Sequence, residues 1–173
     1  MICSTGSAGP QSSAWERSRF SGDSTMEVQS DFRDLLALFR KHDVDFILVG
    51  AYALAFHGVP RFTGDMDVFV RCDSDNGEKI IAALTDFGFG SLGLTAADFE
   101  KPEHVIQLGV APIRIDLLTS ISGVGWAEAC AGREEGSYGD VPVAYLGRRE
   151  LIANKRATGR KKDLADLEAL GEE

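Results

Sequence analysis

Apolar side chains recur at Val28, Phe32, Leu35, Leu36 and Phe39. That is the spacing of one helix face, and it predicts an amphipathic helix over 27–42. The run Phe46-Ile47-Leu48-Val49 is short, continuous and stopped by Gly50, the pattern of a buried strand. Residues 51–56 carry helix formers and end at Gly58 and Pro60. A second strand is expected over 66–70. A helix over 78–87 should turn Ile80, Ile81, Leu84 and Phe87 inward, with Gly88 closing it. Residues 104–108 and 111–118 read as two strands paired as a hairpin around Gly109. A short helix over 125–131 would carry Trp126. A last strand over 141–146 contains Pro142, which favours a sheet edge. Two helices, over 150–158 and 161–170, are broken at Gly159. Strands and helices alternate without an internal repeat. The predicted class is therefore α/β (α+β), a mixed sheet flanked by helices with a C-terminal helical segment.

The first 25 residues differ in kind. They hold seven serines, three glycines and a proline, with no apolar period. They read as a flexible tail ahead of a single domain over 26–173. Met26 stands where the periodic pattern begins, so it is either the natural start or the end of a dispensable leader. The leader has no apolar core of the kind a secretory signal needs, and no apolar run is long enough to span a bilayer. Cys3, Cys72 and Cys130 are odd in number and widely spaced, which predicts reduced thiols rather than a zinc site or a disulfide framework. These features predict a cytoplasmic protein that does not engage a membrane. The 173 residues carry a formal net charge of −9, which excludes an unselective nucleic-acid binder but not a local basic patch.

The carboxylates carry the chemical information. Asp65 and Asp67 are two apart at the start of a strand, so they share one face. Asp116 sits inside Ile113-Arg114-Ile115-Asp116-Leu117-Leu118, a strand pattern in which a carboxylate is costly unless a cation satisfies it. If the two strands are neighbours, three anions converge and raise one another's pKa until a cation neutralises them. Oxygen-only ligands favour Mg²⁺ or Mn²⁺, and such ions suit phosphoryl transfer. A structural alternative has Asp65 capping a turn after Gly64 and Asp116 paired with Arg114 or another base. Gly50, between a buried strand and a short helix, offers backbone N–H groups where phosphate oxygens could rest.

Val49-Gly50-Ala51, then Arg61-Phe62-Thr63-Gly64-Asp65-Met66-Asp67, then Asp116 on a later strand resemble the nucleotidyltransferase superfamily related to polymerase β. The resemblance covers about residues 30–170 and is nearest to the small prokaryotic branch that includes the AbiE-type toxins. It implies a twisted mixed sheet with helices against one face. It implies Asp65, Asp67 and Asp116 as catalytic metal ligands, with Asp116 a further ligand or the base for the incoming hydroxyl. Gly50 and Ala51 would approach the triphosphate through their backbone. Ala51 stands where the family has Ser or Gly, so a hydroxyl contact to phosphate is missing.

Seven of the 18 basic residues, Arg148, Arg149, Lys155, Arg156, Arg160, Lys161 and Lys162, fall within 148–162. They could hold triphosphate or a nucleic-acid acceptor, or form a solvated face balanced by Asp163, Asp166 and Glu168. Lys155 matches the family's late basic helix, and Lys162, Arg61 and Thr63 are further phosphate-binding candidates. The expected function is transfer of a nucleoside monophosphate from an NTP to an acceptor hydroxyl on a protein, a tRNA or a small molecule, with Mg²⁺ or Mn²⁺ as cofactor. The branch implies a cognate antitoxin as a possible partner. The alternatives are a degenerate module that binds nucleotide or a partner without turnover, and a metal-dependent nuclease. His57 reads as a satisfied helix cap, and Tyr52 and Trp126 as core residues rather than base-stacking ones.

Overall fold

The computed structural model describes residues 28–110 and 112–172; the leader over 1–25 lies outside them. Helix α1 (Ser30–Lys41) buries Phe32, Leu35, Leu36 and Phe39, as the period requires. Val28 precedes the helix and is exposed rather than part of its apolar face. Strand β1 (Phe46–Leu48) runs into α2 (Gly50–Phe56), and β2 (Asp65–Val70) follows. Helix α3 (Ser74–Phe87) begins four residues before the start expected at 78. Its N-cap Asp73 accepts a hydrogen bond from the Asn76 N–H at 2.8 Å. The Asp-Asn-Gly sequence there looks like a turn, but Gly77 serves packing: a Cβ would come within 2.7 Å of the Ala96 carbonyl.

Strands β3 (Val105–Val110) and β4 (Ile113–Leu118) form the expected hairpin, with Gly109 inside β3 opposite Arg114. Helix α4 (Trp126–Gly132) leads into β5 (Glu134–Tyr138), a strand the sequence analysis missed. Its Glu-Glu-Gly-Ser segment lacks apolar alternation, because β5 is an edge strand whose outer residues meet water. Strand β6 (Val141–Tyr145), α5 (Arg148–Thr158) and α6 (Lys161–Ala169) complete the chain. Gly159 ends α5 at φ 60°, where an L side chain would be strained.

The six strands lie in the order β3-β4-β2-β1-β6-β5, with β2–β4 and β1–β6 parallel and the other pairs antiparallel. Strand β6 is thus internal, against the edge position that Pro142 suggested. Pro142 is tolerated because β1 pairs with β6 only at Tyr145, while Pro142 pairs with Ser137 of β5. The flank of Pro142 away from β5 has no ladder to complete.

Successive residues of β2 serve two apolar clusters. Met66, Val68 and Val70 join Phe32, Phe39, Ile80 and Leu84 under α1 and α3. Phe69 joins Ile47, Leu54, Leu151, Ile152 and Leu167 under α2, α5 and α6. Helices therefore cover both faces, not one. The continuous apolar run of β1 demanded this, since Phe46 and Leu48 point one way and Ile47 the other. Tyr52 packs edge-on to Phe32 and Tyr138, and Trp126 edge-on to Phe69, so both are core aromatics. His57 caps α2, and its Nε2–H donates to the Leu146 carbonyl at 2.8 Å. Cys72 is a free thiol, as the cysteine count predicts, and Cys3 lies outside the described residues. No helix among the described residues is long and apolar enough to cross a membrane.

Candidate active site

The parallel register of β2 and β4 sets Asp65 beside Arg114 and Asp67 beside Asp116. Period-2 geometry puts all four on the face opposite Met66 and Ile115. Strand β3 extends the second row, since Gln107 lies opposite Asp116. Three carboxylates thus meet on neighbouring strands, although 49 residues separate Asp67 from Asp116.

Arg114 stands among them. Its Nη2 donates to Asp65 Oδ2 at 2.9 Å and to Asp116 Oδ2 at 3.1 Å. Its Nε lies 2.9 Å from Asp116 Oδ1, but the N–H is not aimed at that oxygen. Both atoms are buried and neither has a hydrogen-bond partner. Asp116 is itself only 7% exposed. The structural alternative, Asp116 paired with Arg114, is therefore present together with the convergence.

Asp67 is packed against Gly50, whose φ is +61°. A Cβ on Gly50 would come 2.2 Å from Asp67 Oδ2, so only glycine leaves room for this carboxylate. Burial pushes the Asp67 carboxyl above the usual aspartate range, and the charges of Asp116 and Asp65 add to that. Lys162 and Arg160 oppose it, which places the start of α6 within electrostatic reach of the site. Ala51, next in α2, is buried.

A crystal structure from Thermotoga maritima, of a protein provisionally named a nucleotidyltransferase, is similar to this chain at a TM-score of 0.53. The identity is 12%, and the match covers 80% of this chain and 88% of that one. The chain has a nucleotidyltransferase-like fold. No family model and no curated protein matches it.

Within this nucleotidyltransferase-like frame the other candidates divide. Lys162 is exposed and makes no ion pair among the described residues, while its charge acts on Asp67. Thr63 is spent locally: its hydroxyl accepts from the Asp65 N–H and donates to the Asp65 carbonyl, both at 3.1 Å. It fixes the entry of β2 rather than facing solvent as a free donor. Lys155 is only 3% exposed, and its Nζ donates to Asp166 Oδ2 at 2.5 Å and to Asp163 Oδ1 at 3.2 Å. Arg61 Nε reaches Asp166 Oδ1 at 3.1 Å. Arg160 Nε donates to Asp163 Oδ2 at 2.6 Å and the Thr158 hydroxyl to the same oxygen at 2.9 Å. Asp163 and Asp166 are thus not members of a solvated face; they are buried between α5 and α6 as counter-ions of Lys155. Burial works to raise the Asp163 carboxyl, but hydrogen bonds from Arg160, Thr158 and Lys155 outweigh it and hold it down at about 2.

The donor set suits a divalent cation in type: three carboxylates, one with a buried oxygen that lacks a hydrogen bond, and another held above its ordinary pKa by its neighbours. Among the described residues no three acidic, histidine or cysteine side chains stand already arranged around a metal position. Two residues of this site were not singled out from sequence. Arg114 entered only as a counter-ion, and Arg160 only as part of a basic run. An Arg two residues before a strand carboxylate was the available signal for Arg114, since period-2 spacing puts both on one face.

Proposed function

We propose that this chain is a metal-dependent nucleotidyltransferase that moves a nucleoside monophosphate from an NTP to an acceptor hydroxyl and releases pyrophosphate. The observation that carries the reading is the register that sets Asp67 beside Asp116, with Asp65 on the same face. Asp65, Asp67 and Asp116 are the residues that would hold Mg²⁺ or Mn²⁺. The bound ion would polarise the phosphoryl oxygens and favour the alkoxide form of the acceptor. Asp116 would serve as a further ligand or as the base for the acceptor hydroxyl. Lys162, whose charge acts on Asp67 from α6, is the cation of this site free to meet a triphosphate, while Arg160 acts on Asp67 from the N-cap of α6 and is already paired with Asp163. Gly50 keeps Asp67 in place by presenting no side chain to it. Membership of the branch with the AbiE-type toxins, and with it an antitoxin partner, belongs to this proposal and draws on the late basic helices. The acceptor is a hydroxyl of a protein, a tRNA or a small molecule.

A second reading, a module of the same fold that binds without turnover, draws on Ala51 and on the guanidinium among the carboxylates. Incubation with each α-labelled NTP, Mg²⁺ and cellular RNA or protein separates the two. Label transfer with pyrophosphate release, abolished in Asp67→Asn, is the expected result. NTP binding without transfer to any acceptor would favour the module, and loss of nucleic acid without NTP would indicate a nuclease.

A further inference from the structure

We infer that Arg114 is the resident counter-cation of the carboxylate cluster, and that a divalent ion enters this site by displacing its guanidinium. The inference rests on the proposed metal site and specifies how that site is regulated. One guanidinium nitrogen bridges Asp65 and Asp116, so Arg114 occupies the gap between two of the three acids. The occupancy is imperfect. The Nε and Asp116 Oδ1 lie 2.9 Å apart without a hydrogen bond, and both are buried. A planar fork satisfies carboxylates best when both of its N–H vectors are aligned, and here only one is. Asp67 receives no hydrogen bond from Arg114 at all. A small ion accepting lone pairs from all three acids satisfies what the guanidinium leaves unmet.

The side chain can also leave. Arg114 is one-third exposed, and its cross-strand neighbour on β3 is Gly109, which puts no side chain beside it in that row. The exchange is one cation for another: the guanidinium moves to solvent, the ion takes its carboxylate oxygens, and the cluster never holds three uncompensated charges. Two of the same acids serve both states, so the two cations exclude each other.

The opposite role, in which Arg114 props the acids open for the ion, predicts the reverse effect of its removal. Titration of Mn²⁺, followed by the electron paramagnetic resonance of the free ion, decides between them in the intact chain. Arg114→Gln should bind Mn²⁺ roughly tenfold more tightly than wild type, the scale of one lost competing ion pair. Arg114→Lys, which keeps a charge but is one bond shorter and has no Nε–H beside Asp116, should bind more tightly than wild type as well and guards against misfolding of the Gln variant. Thermal melts should show Arg114→Gln less stable than wild type without metal and more strongly stabilised by added Mn²⁺. Equal or weaker Mn²⁺ binding by both variants overturns the inference while leaving the metal site standing, provided wild type binds Mn²⁺ and Asp67→Asn does not. Absence of Mn²⁺ binding in wild type and in all variants overturns the inference together with the reading on which it rests.

Discussion

Two ionic clusters lie next to each other, linked through Arg160, and use the same residue types to opposite ends. Between α5 and α6, two buried acids, Asp163 and Asp166, are met by three cations, Lys155, Arg61 and Arg160. On the β2–β4 face, one guanidinium stands among three acids, pairs with Asp65 and Asp116 but not with Asp67, and is misaligned with a buried oxygen of Asp116. The pKa directions follow the balance: Asp163 is held at about 2, and Asp67 is pushed upward. A balanced, fully hydrogen-bonded cluster holds structure together. An over-charged, half-satisfied one costs stability and is poised to bind something. Charge density along the sequence does not separate the two; the partners of each oxygen do.

The sharpest break in the comparison is Lys155→Met. Removing the cation leaves two acids buried without their main partner, and about 3–5 kcal/mol of stability should be lost in urea denaturation. Restoring neutrality with Asp163→Asn and Asp166→Asn in the same chain should recover much of it. A Lys155 that serves nucleotide alone would instead leave the denaturation midpoint unmoved and raise the KM for NTP.

The mirror-image change is Asp67→Asn. It should lower nucleotidyl transfer at least about a hundredfold, equivalent to roughly 2.7 kcal/mol, while raising Tm by roughly 2–4 °C, because a buried, repelled charge is gone. A carboxyl raised in the folded state favours folding at low pH and costs stability as pH rises through its folded pKa, so the gain from Asp67→Asn should be greatest above that value.

Gly50→Ala tests the seating of Asp67. A Cβ would meet Oδ2 at 2.2 Å and the residue would sit at φ +61°, so a loss of about 1–2 kcal/mol in stability is expected, with transfer activity reduced further than the stability loss explains.

The smallest effect concerns acid. Asp163 is depressed, so its contribution to stability is present above pH about 4 and fades as pH falls towards about 2. Acid melts of Asp163→Asn should converge with wild type in that window and diverge above it.

Much of the frame was legible because its signals are periodic. The face of α1, the doubly buried β1 and the shared face of Asp65 and Asp67 all follow from spacing. What was not legible depends on partners far along the chain. Strand β5 has no apolar alternation and exists because β6 offers it a ladder. The early start of α3 depends on a close approach to Ala96. Pro142 sits in an internal strand only because β1 is too short to reach it. The convergence of the three acids was an expectation from residue types, but the parallel β2–β4 register that produces it is a property of the sheet. The basic run 148–162 looked uniform, yet it divides into buried Lys155, exposed Lys162 and the bridging Arg160. That division depends on how α6 folds back on α5.

The most direct test is a crystal of the intact chain grown with Mn²⁺ and a non-hydrolysable NTP, with manganese located by its anomalous scattering. The account predicts manganese bound by Asp65, Asp67 and Asp116, with the triphosphate beside Lys162 and Arg160 and the Arg114 side chain turned away. Manganese absent from this face, or bound there while Arg114 still bridges Asp65 and Asp116, would contradict it.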